Sequence, residues 1–293
     1  MKRMKKKKLM VNVFAWMFEL PYVVLGTLFL IYPLINSLVL SMYKKTIFSG
    51  YKFVGFRNFV SVFQDDVFIK SLLNTLYFAV VSTILYVVVS LLLAALFNRS
   101  GKLTYIMRSF VVAPMVLSVS VMGVIWKLLF SCGPGYKMIN DIFGKDVSIT
   151  TSPSIAMWVI ILSTLWWTIG TNVIIFIAGM QQISTELYDA AKIDGATGGK
   201  IFFKITLPLL KPTITTVIIL QTIASFQLYG QPYVITNGGP FNSTKTILMY
   251  IYDSFSAGNY GFSAAVSVLL MAMMLIVSII EMILISRFNR ESA

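Results

Sequence analysis

Six long apolar runs dominate the chain and leave little freedom in how it can fold. They cover roughly residues 13–41, 72–97, 107–130, 155–180, 209–229 and 262–286. A helix crossing about 30 Å of hydrocarbon needs about 20 predominantly apolar residues, and every run is long enough. A soluble α/β protein breaks such runs with turn chemistry every few residues, so that class is excluded. Strands of a membrane β-barrel alternate over about 10 residues, and these runs do not alternate. Pro21, Pro33, Pro114, Gly123, Gly170 and Pro212 interrupt several runs, which membrane helices tolerate where neighbours or water satisfy the freed backbone groups. The expected fold is all-α and integral to the membrane, with six transmembrane helices. Composition agrees, since 57% of the 293 residues are hydrophobic and only 12% are charged.

Charge placement orients the spans. The tail, residues 1–12, holds Lys2, Arg3, Lys5, Lys6, Lys7 and Lys8. If it is cytoplasmic, that side also takes Arg99, Lys102, Arg108, Lys192, Lys200, Lys204, Lys211, Arg287 and Arg290, making 15 of the 24 Lys and Arg. The positive-inside rule then puts both termini in the cytoplasm, with a transmembrane domain over residues 13–293. The net charge of +13 follows from this topology and does not call for a nucleic-acid partner. The first run exceeds a 7–15-residue signal core and reads as a retained helix.

Absences narrow the chemistry. Cys132 is the only cysteine and there is no histidine, which excludes an intrachain disulfide, thiolate metal clusters and Ser-His-Asp catalysis. No metal or cofactor is expected on this chain, and it is not expected to be an enzyme. Glu19 and Glu281 lie near the ends of their runs and are expected to reach the interface by snorkelling. A proton- or sodium-coupled carrier places carboxylates at mid-membrane, and none is evident. Gly199-Lys200 is followed by Ile201 without the upstream glycine of a phosphate-binding loop, so this chain cannot itself bind ATP by such a loop.

The loop 181–208 has a pattern of its own. Ser184 or Thr185 suits a helix N-cap, with Glu186 and Asp189 in the first turns where the helix dipole favours acids. Leu187, Ala190, Ala191 and Asp194 fall at helical spacing, giving a short helix with a small-residue face. Gly195 can end it in the left-handed conformation. Phe202, Phe203 and Ile205 form an apolar strip, and Pro208 is expected to turn the chain into the fifth span.

At this loop the sequence resembles a known family. Asp189-Ala190-Ala191, three residues, Gly195, nine residues and then Ile205-Thr206-Leu207-Pro208 is similar to the EAA loop of ABC importer permeases, with Asp189 where that family has glutamate. Val54-Gly55-Phe56-Arg57-Asn58-Phe59, Asn74-Thr75 and Thr236-Asn237-Gly238-Gly239-Pro240 with Ser243-Thr244 and Tyr250-Ile251-Tyr252 resemble segments of the maltose-type carbohydrate uptake subfamily. The last of these resembles the first permease of a heterodimeric pair. The resemblance implies a type I ABC importer permease fold with a cytoplasmic coupling helix. It implies coupling to an ATPase through Glu186, Asp189, Ala190, Ala191, Asp194, Gly195, Ala196, Ile205, Leu207 and Pro208. The implied partners are a second homologous permease, two cytoplasmic ATPase subunits that hold ATP and Mg, and an extracellular sugar-binding protein. The implied cargo is a carbohydrate, an oligosaccharide in particular.

A sugar path needs hydrogen-bonding and ring-stacking groups. Gln221 and Ser225 lie at i, i+4 on the fifth run, with Tyr229 on the same stripe and Gln227 near its outer end. The fourth run offers Trp166, Trp167, Thr168, Thr171 and Asn172. These groups line a path or glue helix to helix, as membrane bundles also do, and both readings stand. An independent channel or secondary carrier is the competing function class.

Overall fold

The computed structural model describes residues 16–47, 50–98, 101–143 and 148–290. The basic tail, the start of the first apolar run and Arg99 lie outside them. In chain order the elements are α1 Trp16–Ser41, β1 Tyr43–Lys44, β2 Lys52–Phe53, α2 Arg57–Phe63, α3 Asp66–Phe97 and α4 Lys102–Val112. Next come α5 Val119–Ser131, α6 Pro134–Phe143, α7 Pro153–Gln181 and α8 Thr185–Ile193. The last five are α9 Gly198–Leu209, α10 Lys211–Phe226, α11 Gly230–Ile235, α12 Ile247–Ser256 and α13 Tyr260–Arg290. Among the described residues, α1, α3, α7 and α13 are each long and apolar enough to cross a membrane, and the bent pairs α4–α5 and α9–α10 bring the number to six if each pair is one span.

The chain forms two compact units, one reaching to Gln64 and including Ile251–Leu269, the other holding Asp65–Tyr250 and the residues from Leu270 on. In the first, β1 and β2 pair antiparallel with Tyr43 opposite Phe53 and Lys44 opposite Lys52. Asn58 splints the end of α1 by donating to the carbonyls of Ser41 (2.7 Å) and Tyr43 (3.0 Å). None of the most apolar stretch of α1 is buried. Its surface is suited to lipid or to another protein chain, not to water.

The second unit is built on α3, α7 and α10. Asp65 caps α3, its Oδ1 accepting from Val67 N at 2.8 Å and Phe68 N at 3.2 Å. The helix therefore starts at Asp66, ahead of the apolar run at 72, because the cap and not hydropathy sets its first turn. Asp65 Oδ2 accepts from the Tyr250 hydroxyl at 2.7 Å. Burial, reinforced by that carboxylate, pushes the Tyr250 phenol above its usual range. At the other end of α3, Arg108 Nε donates to the Phe97 carbonyl at 2.9 Å, satisfying one of the acceptors that a helix C-terminus leaves without an intrahelical partner. The buried face of α3 carries Ser71, Thr75, Ser82 and Ser90 beside Phe78, Tyr86 and Ala94. Small and hydroxyl-bearing residues face inward, as they do where membrane helices pack without a hydrophobic drive.

The third apolar run is not one rod. α4 ends in a 3-10 turn at Ala113–Val116, and the chain bends by 100° before α5. Pro114 has no N–H and cannot continue the ladder. Ser118 restarts the helix, its hydroxyl accepting from Val121 N at 3.3 Å. The Leu117 carbonyl at the break is claimed by Trp167 Nε1 at 3.0 Å. Trp167→Phe removes that donor while keeping a ring in place. It is expected to lower stability by about 1 kcal/mol, measurable as a downward shift in the melting temperature of the detergent-purified protein.

The fifth run is also corrected. α9 stays helical through Pro208, with a wider π turn at Phe202–Thr206, and the 67° bend falls at Leu210. Pro212 sits in the first turn of α10, where the missing N–H costs little, whereas Pro208 lies within α9 directly after the wider π turn.

Candidate functional site

The 181–208 loop folds as a capped, exposed helix. Ser184 accepts from Glu186 N at 3.3 Å and opens α8. At the other end Gly195 N donates to Lys192 O (3.1 Å) and Ala196 N to Ala191 O (2.9 Å), the paired bonds of a Schellman cap. Such a cap places one residue in the left-handed region, and Gly195 has φ +71°. Asp194 is the residue that closes the helix ahead of it. Of the expected small-residue face only Ala191 turns inward and is buried. Ala190, Leu187 and Ile193 are exposed, Ile193 by 87%. Asp189 is exposed and accepts from Lys192 Nζ at 2.8 Å. A surface pair of this kind adds little stability.

One contact ties α8 to its neighbour, and another brings α7 against α10. The Tyr188 hydroxyl meets Thr206 Oγ1 at 3.2 Å, tying α8 to α9. Gly179, near the end of α7, lets Thr213 approach so closely that a Cβ would lie 2.5 Å from its Oγ1. Ile205 and Leu207 are half-buried on α9 and Pro208 is exposed.

The residues considered for a sugar path separate into two sets. Asn172 Nδ2 donates to Gln221 Oε1 at 3.1 Å, Gln221 Nε2 to Ser225 Oγ at 3.4 Å, and Ser225 Oγ lies 3.0 Å from Ser82 Oγ. All four are buried. This chain of bonds joins α7, α10 and α3, and Trp167 is likewise spent on the bend beside α5. Trp166, Thr171 and Gln227 are exposed instead, and Trp166 packs against Trp126 with ring centroids 6.1 Å apart. Tyr229 does not share the Gln221–Ser225 stripe. α10 stops at Phe226, Gln227 caps it, and Tyr229 precedes α11 with its ring stacked on Tyr233 at 5.3 Å.

The structure adds partners that hydropathy did not mark. Thr222, next to Gln221, donates to Glu281 Oε1 at 2.7 Å and lies 3.4 Å from Thr83 Oγ1. Glu281 is therefore not snorkelling to an interface. Thr222 itself was the available signal, a hydroxyl beside an amide in an apolar run. Two segments far apart in sequence also meet. Asn74 Nδ2 bridges the carbonyls of Asn242 (2.7 Å) and Lys245 (3.0 Å), and Thr75 Oγ1 accepts from Ile247 N at 3.0 Å. The Asn74-Thr75 pair thus anchors the loop that begins at Thr236.

Comparisons with known proteins agree with this architecture. The chain is 34% identical to the lactose transport system permease protein LacF of Rhizobium radiobacter, over 92% of this chain and 93% of that one. It is 32% identical to the sulfoquinovosyl glycerol transport system permease protein SmoG of Agrobacterium fabrum, over 88% and 85% respectively. Its fold is that of a chain in the crystal structure of a bacterial alginate ABC transporter in complex with an alginate pentasaccharide-bound periplasmic protein, with a TM-score of 0.83, 23% identity and 97% of both chains covered. Residues 86–290 match the binding-protein-dependent transport system inner membrane component family. With bent spans, buried polar helix contacts and a capped helix between α7 and α9 all in place, the chain belongs to that family of inner membrane transport components.

Proposed function

We propose that this chain is the transmembrane permease subunit of an ATP-driven carbohydrate importer, forms half of its translocation path and takes its energy through α8. The observation that carries the reading is the 181–208 loop, where Asp189-Ala190-Ala191 and Gly195 fall on the capped helix α8, with Leu187, Ala190 and Ile193 facing outward. Small and apolar groups on an exposed helix suit a groove in another protein. In this reading two cytoplasmic ATPase subunits hold ATP and Mg and seat α8. Their closure moves α8 with α9 through the Tyr188–Thr206 link.

The relatives named for lactose and sulfoquinovosyl glycerol support a glycoside as cargo. The alginate transporter with its periplasmic protein supports an external binding protein that delivers it. The bare apolar surface of α1 and the half-path supplied by one chain support a second homologous permease. The basic tail and loop residues support both termini in the cytoplasm. Trp166, Thr171, Gln227 and Tyr229 then face the path, while Trp167, Asn172, Gln221 and Ser225 hold the helices that carry them.

Reconstitution tests the assignment. Vesicles holding this chain, its partner permease and the ATPases are expected to take up labelled oligosaccharide only with ATP and the binding protein present. Vesicles with this chain alone are expected to take up none. Comparable uptake by the chain alone would establish a channel or secondary carrier and overturn the reading.

A further inference from the structure

The segment that follows α1 carries charge that topology does not explain. Residues 42–64 hold Lys44, Lys45, Lys52 and Arg57 and no Asp or Glu. In the orientation proposed above this segment lies on the outer side, where basic residues work against the positive-inside rule. Lys45 is spent within the hairpin, its ammonium 4.2 Å from the centre of the Tyr51 ring. Lys44 and Lys52 are not. The β1–β2 register sets them directly opposite one another, which brings their Cβ atoms to about 5 Å and destabilises the pair. Both are exposed, as is Arg57, and none of the three has an ion pair among the described residues.

Apolar groups accompany these cations. Tyr51, Phe53, Phe56, Val60 and Phe63 are each more than half exposed. Phe56, Val60 and Phe63 fall at i, i+4 and i+7, one stripe along α2. On the hairpin, Tyr43 and Phe53 meet edge to face at 5.3 Å, on the opposite side of the ladder from Lys44 and Lys52. None of this can stand away from the span. Val54 N donates to the Met42 carbonyl at 2.9 Å, closing the hairpin on the end of α1, and Asn58 holds the start of α2 to the same end. α2 is only about 10 Å long, so its stripe stays near the level at which α1 leaves the hydrocarbon. Aromatic rings beside Lys and Arg at the end of a span suit the membrane–water interface, and amphipathic elements with basic residues on the polar side lie in that plane.

We propose that β1, β2 and α2 lie in the outer surface of the bilayer, with Lys44, Lys52 and Arg57 holding the phosphates of anionic phospholipids. The outer placement rests on the orientation given under the proposed function. A phosphate between Lys44 and Lys52 turns their repulsion into attraction. The acidic face of a docking protein would match the charges but leave the apolar stripe, held level with the end of the span, unanswered.

The test uses the assembled transporter with Cys132→Ser and cysteine-free partners, so that one introduced cysteine is present at a time. In vesicles of phosphatidylcholine and phosphatidylglycerol, a nitroxide on Val60→Cys is expected to collide more often with oxygen, which dissolves in lipid, than with a water-soluble nickel chelate. The reverse order would put α2 in water and overturn the proposal. Shielding from both, or shielding that appears only when the binding protein is added, would give this face to a protein and overturn it as well. Phosphatidylglycerol with a diazirine near its head is expected to label the β1–β2 and α2 peptides more than the matching phosphatidylcholine probe, by about fivefold for each cation engaged, the factor equal to about 1 kcal/mol. Lys44→Gln combined with Lys52→Gln changes only exposed side chains and is expected to lower that preference about 25-fold. Added salt is expected to weaken it. Equal labelling by the two probes, or a preference indifferent to the double variant, would overturn the phosphate assignment. Gly50→Cys in intact cells tests the side of the membrane, and an impermeant maleimide is expected to reach it from outside. Labelling only after the membrane is opened would overturn the outer placement together with the orientation. The nitroxide and lipid results need no transport, so they decide the lipid contact even if the reconstituted complex imports no sugar.

Discussion

Gly195→Asp is expected to abolish ATP-driven uptake while leaving the chain inserted and folded. The position is the left-handed residue of the α8 cap, with φ +71°. Aspartate visits that conformation at a cost of about 1–2 kcal/mol, an amount the helix absorbs, and nothing lies within 4 Å of the place a Cβ would take. The new side chain therefore projects outward. On a helix seated in a partner's groove it would bury an unpaired charge, a loss of about 2–5 kcal/mol, or at least about thirtyfold in coupling. Uptake by the assembled transporter, with immunoblotting of the membrane fraction, measures both halves of the expectation. Gly195→Asn separates charge from backbone, since asparagine adopts the left-handed region readily and is expected to retain much more uptake. Normal uptake by the aspartate variant would remove α8 from the coupling path.

Gly170→Leu is expected to act on assembly. A Cβ at Gly170 would lie 2.9 Å from the Val111 carbonyl oxygen and 3.0 Å from Val112 Cα. Both obstacles are backbone, so no rotamer change makes room, and α7 must move away from the end of α4. Overpacking costs about 1–3 kcal/mol where side chains can yield, and here they cannot. The same displacement disturbs the neighbouring Trp167–Leu117 and Asn172–Gln221 bonds on α7. Membrane yield and melting temperature are expected to fall sharply for leucine and less for alanine. A leucine variant that melts with the wild type would show that the approach of α7 to α4 is not needed.

Much of this architecture is legible in the residues. Hydropathy marks the runs, and the serines and threonines of α3 at positions 71, 75, 82 and 90 mark the face that packs inward. The α8 cap is legible too, since Ser184 and Gly195 are each the residue their position demands. The bends are not. Pro114 coincides with one, but Pro208 lies within α9 and Pro212 in the first turn of α10, and the chain turns between them at Leu210. Proline tells where an N–H is missing, whereas a bend also depends on whether something else claims the freed carbonyl. Pairings such as Thr222 with Glu281 or Asn172 with Gln221 depend on how each helix is rotated about its axis. That rotation is set by packing, which a single sequence does not display. Gln221, Ser225 and Tyr229 share a helical spacing, yet the helix ends before Tyr229 is reached.

The elbow between α4 and α5 also bears on the bilayer. Its two legs, Lys102–Val116 with the 3-10 turn included and Val119–Ser131, are about 22 Å and 20 Å long at 1.5 Å per residue, and with a 100° bend the distance between their far ends is about 27 Å. A straight rod of the same residues would exceed the roughly 30 Å of hydrocarbon, whereas the elbow falls short of it. Tilting, the usual response of an over-long helix to a mismatched membrane, is closed to a pair that is already too short and locked by an indole. Where the pair serves as one span, the surrounding lipid thins at this point or the turns flanking the elbow supply the missing depth.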